Sequence, residues 1–319
     1  MQGVYDYDRG ISAVDVLFER ERLNAAHIVI ERGRAAIVDT GTANGVGRIL
    51  GALAEKGVAP EQVDYVILTH VHLDHAGGAG QLMARCPKAT LTVHPRGARH
   101  MIDPSRLLAA TVAVYGEQTT RRLYGEVLPV PPERVLETPE GATVYLAGRE
   151  FAFVDAPGHA RHHVVVRDAA SGGIFTGDSF GLSYRELDRD GLQFSFPTTS
   201  PAQFDPPALK ATIERILDLR PPAVYVTHFG RVTDLHRLAD DLRRLIDEHV
   251  ALAERHRGDG EERGARLREG VERLVFAEAQ RQHWRLSAQE LHRVFGTDIE
   301  LNAQGLEVWL DATARNSVS

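Results

Sequence analysis

The chain has 319 residues, enough for one large domain or one domain with an appendage, and its 43% hydrophobic and 25% charged residues are ordinary for a globular protein. The formal net charge of -7 disfavours a broad electrostatic grip on nucleic acid or an anionic membrane, so we expect a small-molecule substrate. Cys86 is the only cysteine, which excludes an internal disulfide and a cysteine-based metal cage. The N-terminus carries Asp6 and Asp8 without an apolar signal segment, and a cytoplasmic location is the expectation.

The first sixty residues predict three strands followed by a helix. Apolar runs separated by short polar turns indicate strands at 11–18, 26–31 and 35–38, and apolar spacing indicates a helix at 45–56. Asp39 therefore lies at a strand end, beside the start of a helix. Two interpretations stay open for it, a turn carboxylate or a partner that orients a metal-bound imidazole.

A dense group of polar side chains follows the next predicted strand, at 63–68. His70, His72, Asp74 and His75 lie within six residues, and nearby glycines allow a tight turn. A lone histidine would more often be a packed or surface residue, but packing does not explain such a cluster in a strand-end loop. Imidazole and carboxylate groups are ligands that zinc and similar divalent ions prefer. The cluster therefore predicts a metal site.

The segment that follows predicts another strand, at 89–93, and then a helical insertion at 97–137 near the pocket. Met101, Tyr115 and Tyr124 are its candidate wall residues. A later aromatic loop at 194–201, with Phe194 and Phe196, is interpreted either as another part of that wall or as a plain connector.

Candidate ligands recur at the ends of four predicted strands: His70, His159, Asp178 and His228. Ligands at one edge of packed sheets can converge, whereas scattered histidines cannot. The recurrence therefore predicts one shared site.

The last third of the chain is predicted to be mainly helical. Helices are indicated at 205–219, 234–257 and 261–282, and a last one begins after a Ser287–Glu290 capping box and stops at Gly296. We predict a catalytic domain at 1–250 and a helical extension at 251–319.

The extension has an apolar stripe that the main domain or a second subunit must cover, and a homodimer is the favoured expectation. The stripe consists of Leu267, Val271, Leu274 and Val275.

The His-x-His-x-Asp-His motif, the later Pro157-Gly158-His159 with His163, the Gly177-Asp178 pair and His228 together resemble the metallo-β-lactamase superfamily. The resemblance covers residues 11–230 and implies an α/β fold, the αβ/βα four-layer sandwich of that family, followed here by a helical C-terminal extension. It also implies two divalent metal ions, with zinc the first expectation and manganese or iron the alternatives. The implied ligands are His70, His72 and His159 for one ion, Asp74, His75 and His228 for the other, and Asp178 as the bridge.

The resemblance further implies hydrolysis by a metal-bridging hydroxide, with Asp74 moving a proton to the leaving group and Tyr184 polarising the scissile carbonyl. The predicted substrate is a carboxylic ester, lactone or thioester. Asp178 argues against a true β-lactamase, and the gap between His75 and His159 is longer than in glyoxalase II enzymes. Phosphodiester hydrolysis, as in the tRNA-processing members, is the competing activity, and a metal-stabilised binding scaffold is the non-enzymatic alternative.

Overall fold

The computed structural model describes residues 2–199 and 203–316. The end of the predicted 194–201 loop and the last three residues of the predicted extension lie outside the described residues. The chain divides into two compact units. Unit 1 comprises the described residues up to Ala156, then His162–Gly177 and Arg220–Thr233, and unit 2 comprises the described parts of Pro157–Arg161, Asp178–Leu219 and the chain from Asp234 onward.

Unit 1 contains two mixed β-sheets. Within its described residues the first sheet has seven strands in chain order: β1 (Val4–Asp6), β2 (Ile11–Asp15), β3 (Ala25–Glu31), β4 (Arg34–Val38), β5 (Val63–Ile67), β6 (Thr90–Val93) and β7 (Val135–Glu137). Strands β1 to β4 pair antiparallel, and β4 to β7 pair parallel.

The second sheet has six strands among the same described residues, with spatial order β13-β12-β11-β10-β9-β8. They are β8 (Thr143–Leu146), β9 (Arg149–Asp155), β10 (Val164–Asp168), β11 (Ile174–Gly177), β12 (Val224–Val226) and β13 (Gly230–Val232). Strands β11 and β12 are parallel neighbours, so both end at the same edge of this sheet.

Six helices lie in the described part of unit 1: α1 (Val46–Glu55), α2 (Leu73–Ala76), α3 (Ala79–Arg85), α4 (Pro95–Ile102), α5 (Ser105–Tyr115) and α6 (Glu117–Tyr124). Within the mainly helical insertion predicted at 97–137, the helices end at Tyr124. Prolines at 129, 131 and 132 prevent a further helix, and the β-branched Val135 begins strand β7 instead.

The core of unit 1 explains why its strands are apolar on both faces. Ala35 and Ile37 of β4 face a cluster that includes residues of α1 and α3, whereas Ala36 and Val38 face the second sheet. Phe153 is one of the fully buried residues of the second sheet in that layer. Burying such a side chain stabilises the fold by about 2–3 kcal/mol.

Unit 2 contains α7 (Pro206–Asp218), α8 (Leu235–Arg255), α9 (Arg263–Arg281) and α10 (Ala288–Asn316). The capping box before the last helix is confirmed: Glu290 accepts from the Ser287 main-chain N–H at 2.8 Å. The predicted stop at Gly296 is wrong, because α10 continues on an apolar face that includes Phe295, Ile299 and Leu306.

Two predictions about the tail are affected by these helices. The predicted boundary at residue 250 falls inside α8, a continuous helix that ends at Arg255. Leu267, Val271 and Val275 are fully buried in unit 2, where α9 packs against α8 and α10. Three of the four stripe residues are therefore covered within one chain and Leu274 is half-buried, so the homodimer stays a prediction without that argument. In the part of the chain that the structure describes, every helix is too short or too polar to cross a membrane.

Candidate metal centre

Three strand ends of unit 1 bring polar residues to the predicted site. Asp39 follows β4, Thr69 and His70 follow β5, and Thr227 and His228 follow β12. In each case the last two residues of the strand are buried, and the first of the polar residues follows within two positions of the strand end. The buried strand end therefore holds the main chain just before each of these polar residues in place.

The buried carboxylate of Asp39 binds residues from two other strand ends. It accepts hydrogen bonds from the Thr69 main-chain N–H at 2.9 Å, from the Thr69 hydroxyl at 2.9 Å and from the Thr227 hydroxyl at 2.8 Å. It also accepts from Nδ1 of His75 at 2.9 Å, and all four residues are at most 2% exposed. Of the two interpretations left open, the geometry supports the second: Asp39 orients an imidazole.

Asp74, His75 and His228 form a compact group whose donor atoms all lie within 4.8 Å of one another. Nδ1 of His75 faces the Asp39 carboxylate and Nδ1 of His228 faces the Leu23 carbonyl oxygen, both at 2.9 Å. Because these oxygens only accept, each neutral ring carries its proton on Nδ1 and presents the lone pair of Nε2.

Those two lone pairs point toward a negative charge. Nε2 of His75 and of His228 lie 3.2 and 3.3 Å from Oδ2 of Asp74. Burial opposes ionisation of Asp74, but with no cation bound a proton on Nε2 of His75 or His228 would stabilise the carboxylate and hold its pKa well below its ordinary value. A bound divalent cation would take the place of that proton. Two nitrogen lone pairs and a carboxylate oxygen fit a divalent cation, which removes their mutual repulsion.

His70 and His72 lie against this group in unit 1. Nε2 of His70 is 2.9 Å from Nδ1 of His72, and the His70 ring is centred 4.0 Å from the ring of His75. Nδ1 of His70 lies 3.1 Å from the Thr69 hydroxyl, which is itself bound to Asp39. His163 stacks on His70 with ring centres 4.6 Å apart, consistent with its predicted place next to a ligand.

The two remaining predicted ligands, His159 and Asp178, belong to unit 2. Their Nε2 and Oδ2 atoms are 3.3 Å apart, and both side chains are buried. Nδ1 of His159 lies 2.8 Å from the Thr198 hydroxyl. With the proton on Nδ1 this ring also presents Nε2, so unit 2 contains a second imidazole–carboxylate pair with the donor chemistry of a metal ligand set.

Tyr184, the predicted carbonyl-polarising residue, has a different environment. It is 1% exposed, and its hydroxyl is 3.0 Å from both carboxylate oxygens of Asp298 on α10. Its ring packs near Phe194 and Phe295. These contacts favour a role in holding α10 within unit 2, and the catalytic role stays an untested prediction.

Three of the predicted wall residues are core residues. Met101 belongs to the core of unit 1, and Phe194 and Phe196 are at most 2% exposed and pack against Phe295 of unit 2. Tyr115 and Tyr124 do pack together, in a small apolar cluster that includes Leu73, the neighbour of Asp74.

Some residues of the site were missed in the sequence. The dipeptide Thr-His occurs at both strand ends, and each threonine binds Asp39, so that repetition was a usable signal. Asn24, which donates to the Asp74 carbonyl oxygen at 2.8 Å, and Thr198 carry no comparable signal because their contacts are distant in sequence.

Curated relatives match parts of the chain. A metallo-beta-lactamase fold-containing protein of Sulfurisphaera tokodaii is 27% identical over 60% of this chain and 66% of its own length. A hydroxyacylglutathione hydrolase of a Synechococcus strain is 34% identical over 47% of this chain and 45% of its own. The chain thus spans less than two thirds of the length of these relatives.

The solved structures show the same fold. The crystal structure of an archaeal metallo-beta-lactamase superfamily protein from Sulfolobus tokodaii matches with a TM-score of 0.61 and 21% identity, over 94% of this chain and 99% of that one. The predicted α/β sandwich followed by C-terminal helices is confirmed. The family profile of the metallo-beta-lactamase superfamily matches residues 21–230, about two thirds of the chain. With two mixed sheets and a histidine–aspartate group at their strand ends, this chain belongs to the metallo-beta-lactamase superfamily.

Proposed function

We propose that this protein is a dinuclear metal-dependent hydrolase of a carboxylic ester, lactone or thioester. The observation that carries the proposal is the Asp74–His75–His228 group, in which both imidazoles direct Nε2 toward an ionised carboxylate. Zinc is the first expectation for the ions, and manganese and iron are the alternatives. The proposed ligands follow the family pattern: His70, His72, Asp74, His75, His159, Asp178 and His228.

Divalent ions bound by these residues would lower the pKa of a water molecule and polarise an acyl carbonyl. The Asp74 carboxylate, ionised at neutral pH, can accept a proton and return it to the leaving oxygen or sulfur. Asn24 fixes the Asp74 main chain. Asp39 holds the His75 ring and keeps the proton on its Nδ1.

The relatives support acyl chemistry. Several of them are named hydroxyacylglutathione hydrolases, and an acyl group carried on glutathione is a thioester. The gap between His75 and His159, which contains α4, α5 and α6, set this chain apart from glyoxalase II enzymes at the level of sequence. We therefore propose an acyl compound as the substrate, and a substrate panel can identify the acyl group and its carrier.

Charge near the ligands favours an acyl substrate over a phosphodiester. A phosphodiester enzyme usually adds arginine or lysine beside the metals to bind the non-reacting oxygens. In this chain Arg161 and Arg231 are the cationic residues within three positions of a proposed ligand. The Arg231 guanidinium lies 3.7 Å from Asp8, which offsets part of its charge.

A substrate panel with defined metals tests the proposal. Chelation should abolish hydrolysis and zinc, manganese or iron should restore it. The kcat/KM for a medium-chain lactone, thioester or aryl ester should exceed that for a simple phosphodiester by at least about tenfold, or about 1.4 kcal/mol. Full activity in rigorously metal-free protein would refute the metal chemistry. A reversed preference, with Arg161→Ala selectively reducing phosphodiester turnover, would establish phosphodiester hydrolysis instead.

The proposal extends to the partners and the location of the protein. We propose a cytoplasmic location, and on the basis of the acidic net charge we propose a small-molecule substrate and no nucleic-acid or membrane partner. A homodimer stays an untested prediction.

A further inference from the structure

The proposed ligand His159 is held by a loop residue of unit 2. Its Nδ1 lies 2.8 Å from Oγ1 of Thr198, and the Thr198 side chain is half-buried. With its proton on Nδ1, the ring donates to this hydroxyl and presents Nε2 on the side of Asp178. The position of Thr198 therefore sets the direction of the His159 ring.

The residues on either side of Thr198 are bound by one side chain, Asn302 of α10. Its Oδ1 accepts from the Thr199 main-chain N–H at 2.7 Å, and its Nδ2 donates to the Pro197 carbonyl oxygen at 3.2 Å. The Thr199 hydroxyl also donates to the Asn302 carbonyl oxygen at 2.9 Å. Asn302 is 2% exposed and Thr199 is fully buried, so these bonds are shielded from water.

The helix that carries Asn302 is itself firmly placed within unit 2. One turn before Asn302, Asp298 binds the Tyr184 hydroxyl, and one turn after it Leu306 is fully buried. Phe295 of the same helix packs against Phe196, two residues before Thr198. Direct hydrogen bonds thus join Asn302 of α10 to the two residues that flank Thr198, and join Thr198 to His159.

We propose that Asn302 is a positioning residue for the metal site, acting through Thr198 on His159. This inference rests on the proposed role of His159 as a metal ligand. It gives the C-terminal helix a part in metal affinity in addition to its part in the core of unit 2. Groups that orient metal-bound histidines typically change metal affinity by about 10- to 100-fold when removed.

A matched pair of variants at Thr198 tests the contact with His159. Thr198→Val keeps the shape of the side chain and removes the hydroxyl, whereas Thr198→Ser keeps the hydroxyl. Metal-free protein is titrated with cobalt(II) in competition with a chromophoric chelator, and the cobalt(II) absorption spectrum is recorded. Thr198→Val should weaken the binding of one of the two cobalt ions about tenfold and shift its spectrum, and Thr198→Ser should restore both.

A second set of variants tests Asn302. Asn302→Ala should weaken the same cobalt ion several-fold, whereas Leu306→Ala on the same helix should lower thermal stability without changing cobalt affinity or spectrum. In the Thr198→Val background, Asn302→Ala should cause no further loss of affinity, because its effect passes through the missing hydroxyl. A purely structural role would lower stability in both backgrounds and leave the spectrum unchanged.

The outcomes separate this inference from the function it rests on. If His159→Ala binds cobalt(II) like the wild type, His159 is not a ligand, and both the ligand assignment and the inference fail. If His159→Ala loses one ion while Thr198→Val or Asn302→Ala binds normally, only the inference fails. Additive losses in the double variant would also overturn it. Should Asn302→Ala not fold, the Thr198 pair decides the contact and Asn302→Asp, which keeps the acceptor for Thr199, replaces it in the cycle.

Discussion

The two units hold their candidate ligands by different physical means. In unit 1, His75 of α2 is fixed by the buried carboxylate of Asp39, which follows β4, and His228, which follows β12, is fixed by the Leu23 carbonyl oxygen. In unit 2, His159 is fixed by the neutral hydroxyl of Thr198 in a loop, and the loop depends on Asn302, more than one hundred residues further along the chain.

The difference has consequences for binding strength and for stability. A carboxylate behind an imidazole raises its basicity and therefore its affinity for a cation, whereas a hydroxyl mainly orients it. In unit 1 the same carboxylate also joins three strand ends, so metal affinity and folding stability are coupled there. In unit 2 the two properties are separable, because the hydroxyl of Thr198 can be removed without disturbing the core.

The largest effect is expected for Asp39→Asn. The amide cannot accept all the bonds that the carboxylate accepts from Thr69, Thr227 and His75, and its NH₂ group would oppose a donor. Metal affinity should fall about 100-fold, or about 2.7 kcal/mol, and the free energy of unfolding should fall by about 3 kcal/mol. Cobalt(II) titration and urea unfolding of the metal-free protein measure the two losses.

Asp168 provides the matched control in the same unit. It is also fully buried and accepts from the Arg149 guanidinium at 2.7 Å, and it is the last residue of β10, at the other end of the strand from Val164, which binds the Thr69 main chain. Asp168→Asn should lower the free energy of unfolding by about 3 kcal/mol and leave cobalt(II) affinity unchanged. Equal losses of metal affinity in both variants would refute the special role of Asp39.

In unit 2, Gly158→Ala should have the next largest effect. Gly158 has φ +129°, and a Cβ there would lie 2.3 Å from the Leu209 main chain. The neighbouring His159 must then move, so we expect about 2–3 kcal/mol of destabilisation together with weaker binding of one cobalt ion. Wild-type cobalt(II) affinity in a folded Gly158→Ala protein would contradict this expectation.

A smaller effect is expected for the pH dependence of folding stability. Each unit contains one buried histidine that contributes to it. Burial lowers the pKa of both His27 in unit 1 and His249 in unit 2 to about 4, below the value of about 6.5 in an unfolded chain. The unfolded chain therefore binds more protons between pH 6.5 and 4, and stability is lost as the pH falls through that window.

Removing either imidazole should remove its share of that loss. As the pH falls from 7 to 5, we expect the free energy of unfolding of His249→Leu to rise by about 1–2 kcal/mol relative to that of the wild type. His27→Leu should show a similar relative rise. Denaturant unfolding at several pH values measures the difference. A difference that does not change with pH would show that the pKa values of these groups are the same in the folded and unfolded states.

The smallest effect is expected for Gly296→Ala in α10. A Cβ at this mid-helix position has open space around it, and alanine has the higher helix propensity. We expect a gain of about 1 kcal/mol in the free energy of unfolding and unchanged cobalt(II) binding. A loss of stability would indicate that the backbone at this position needs glycine.

The sequence predicted the strands of unit 1 and the ligand cluster because both are local signals. Buried strands such as β4 and β5 are short continuous apolar runs, and the histidines stand directly after one of them. The continuation of α10 past Gly296 was mispredicted because tertiary packing of Phe295 and Ile299 outweighs the low propensity of one glycine.

What the sequence could not predict depends on contacts between distant residues. Asp39 could be placed at a strand end, but its bonds to Thr69 and Thr227 require the sheets to be assembled. The sequence left open whether the loop with Phe194 and Phe196 is a pocket wall or a connector, since an aromatic loop has the same composition in either role, and their packing against Phe295 depends on α10.

The central claim is that Asp74, His75 and His228 bind a divalent cation, and counting bound ions tests it most directly. Metal-free wild-type protein and His228→Ala are titrated with cobalt(II), and bound metal is measured by mass spectrometry after removal of excess ion. We predict about two tightly bound ions per chain in the wild type and about one in His228→Ala. The same stoichiometry in both proteins, or no tight binding in the wild type, would contradict it.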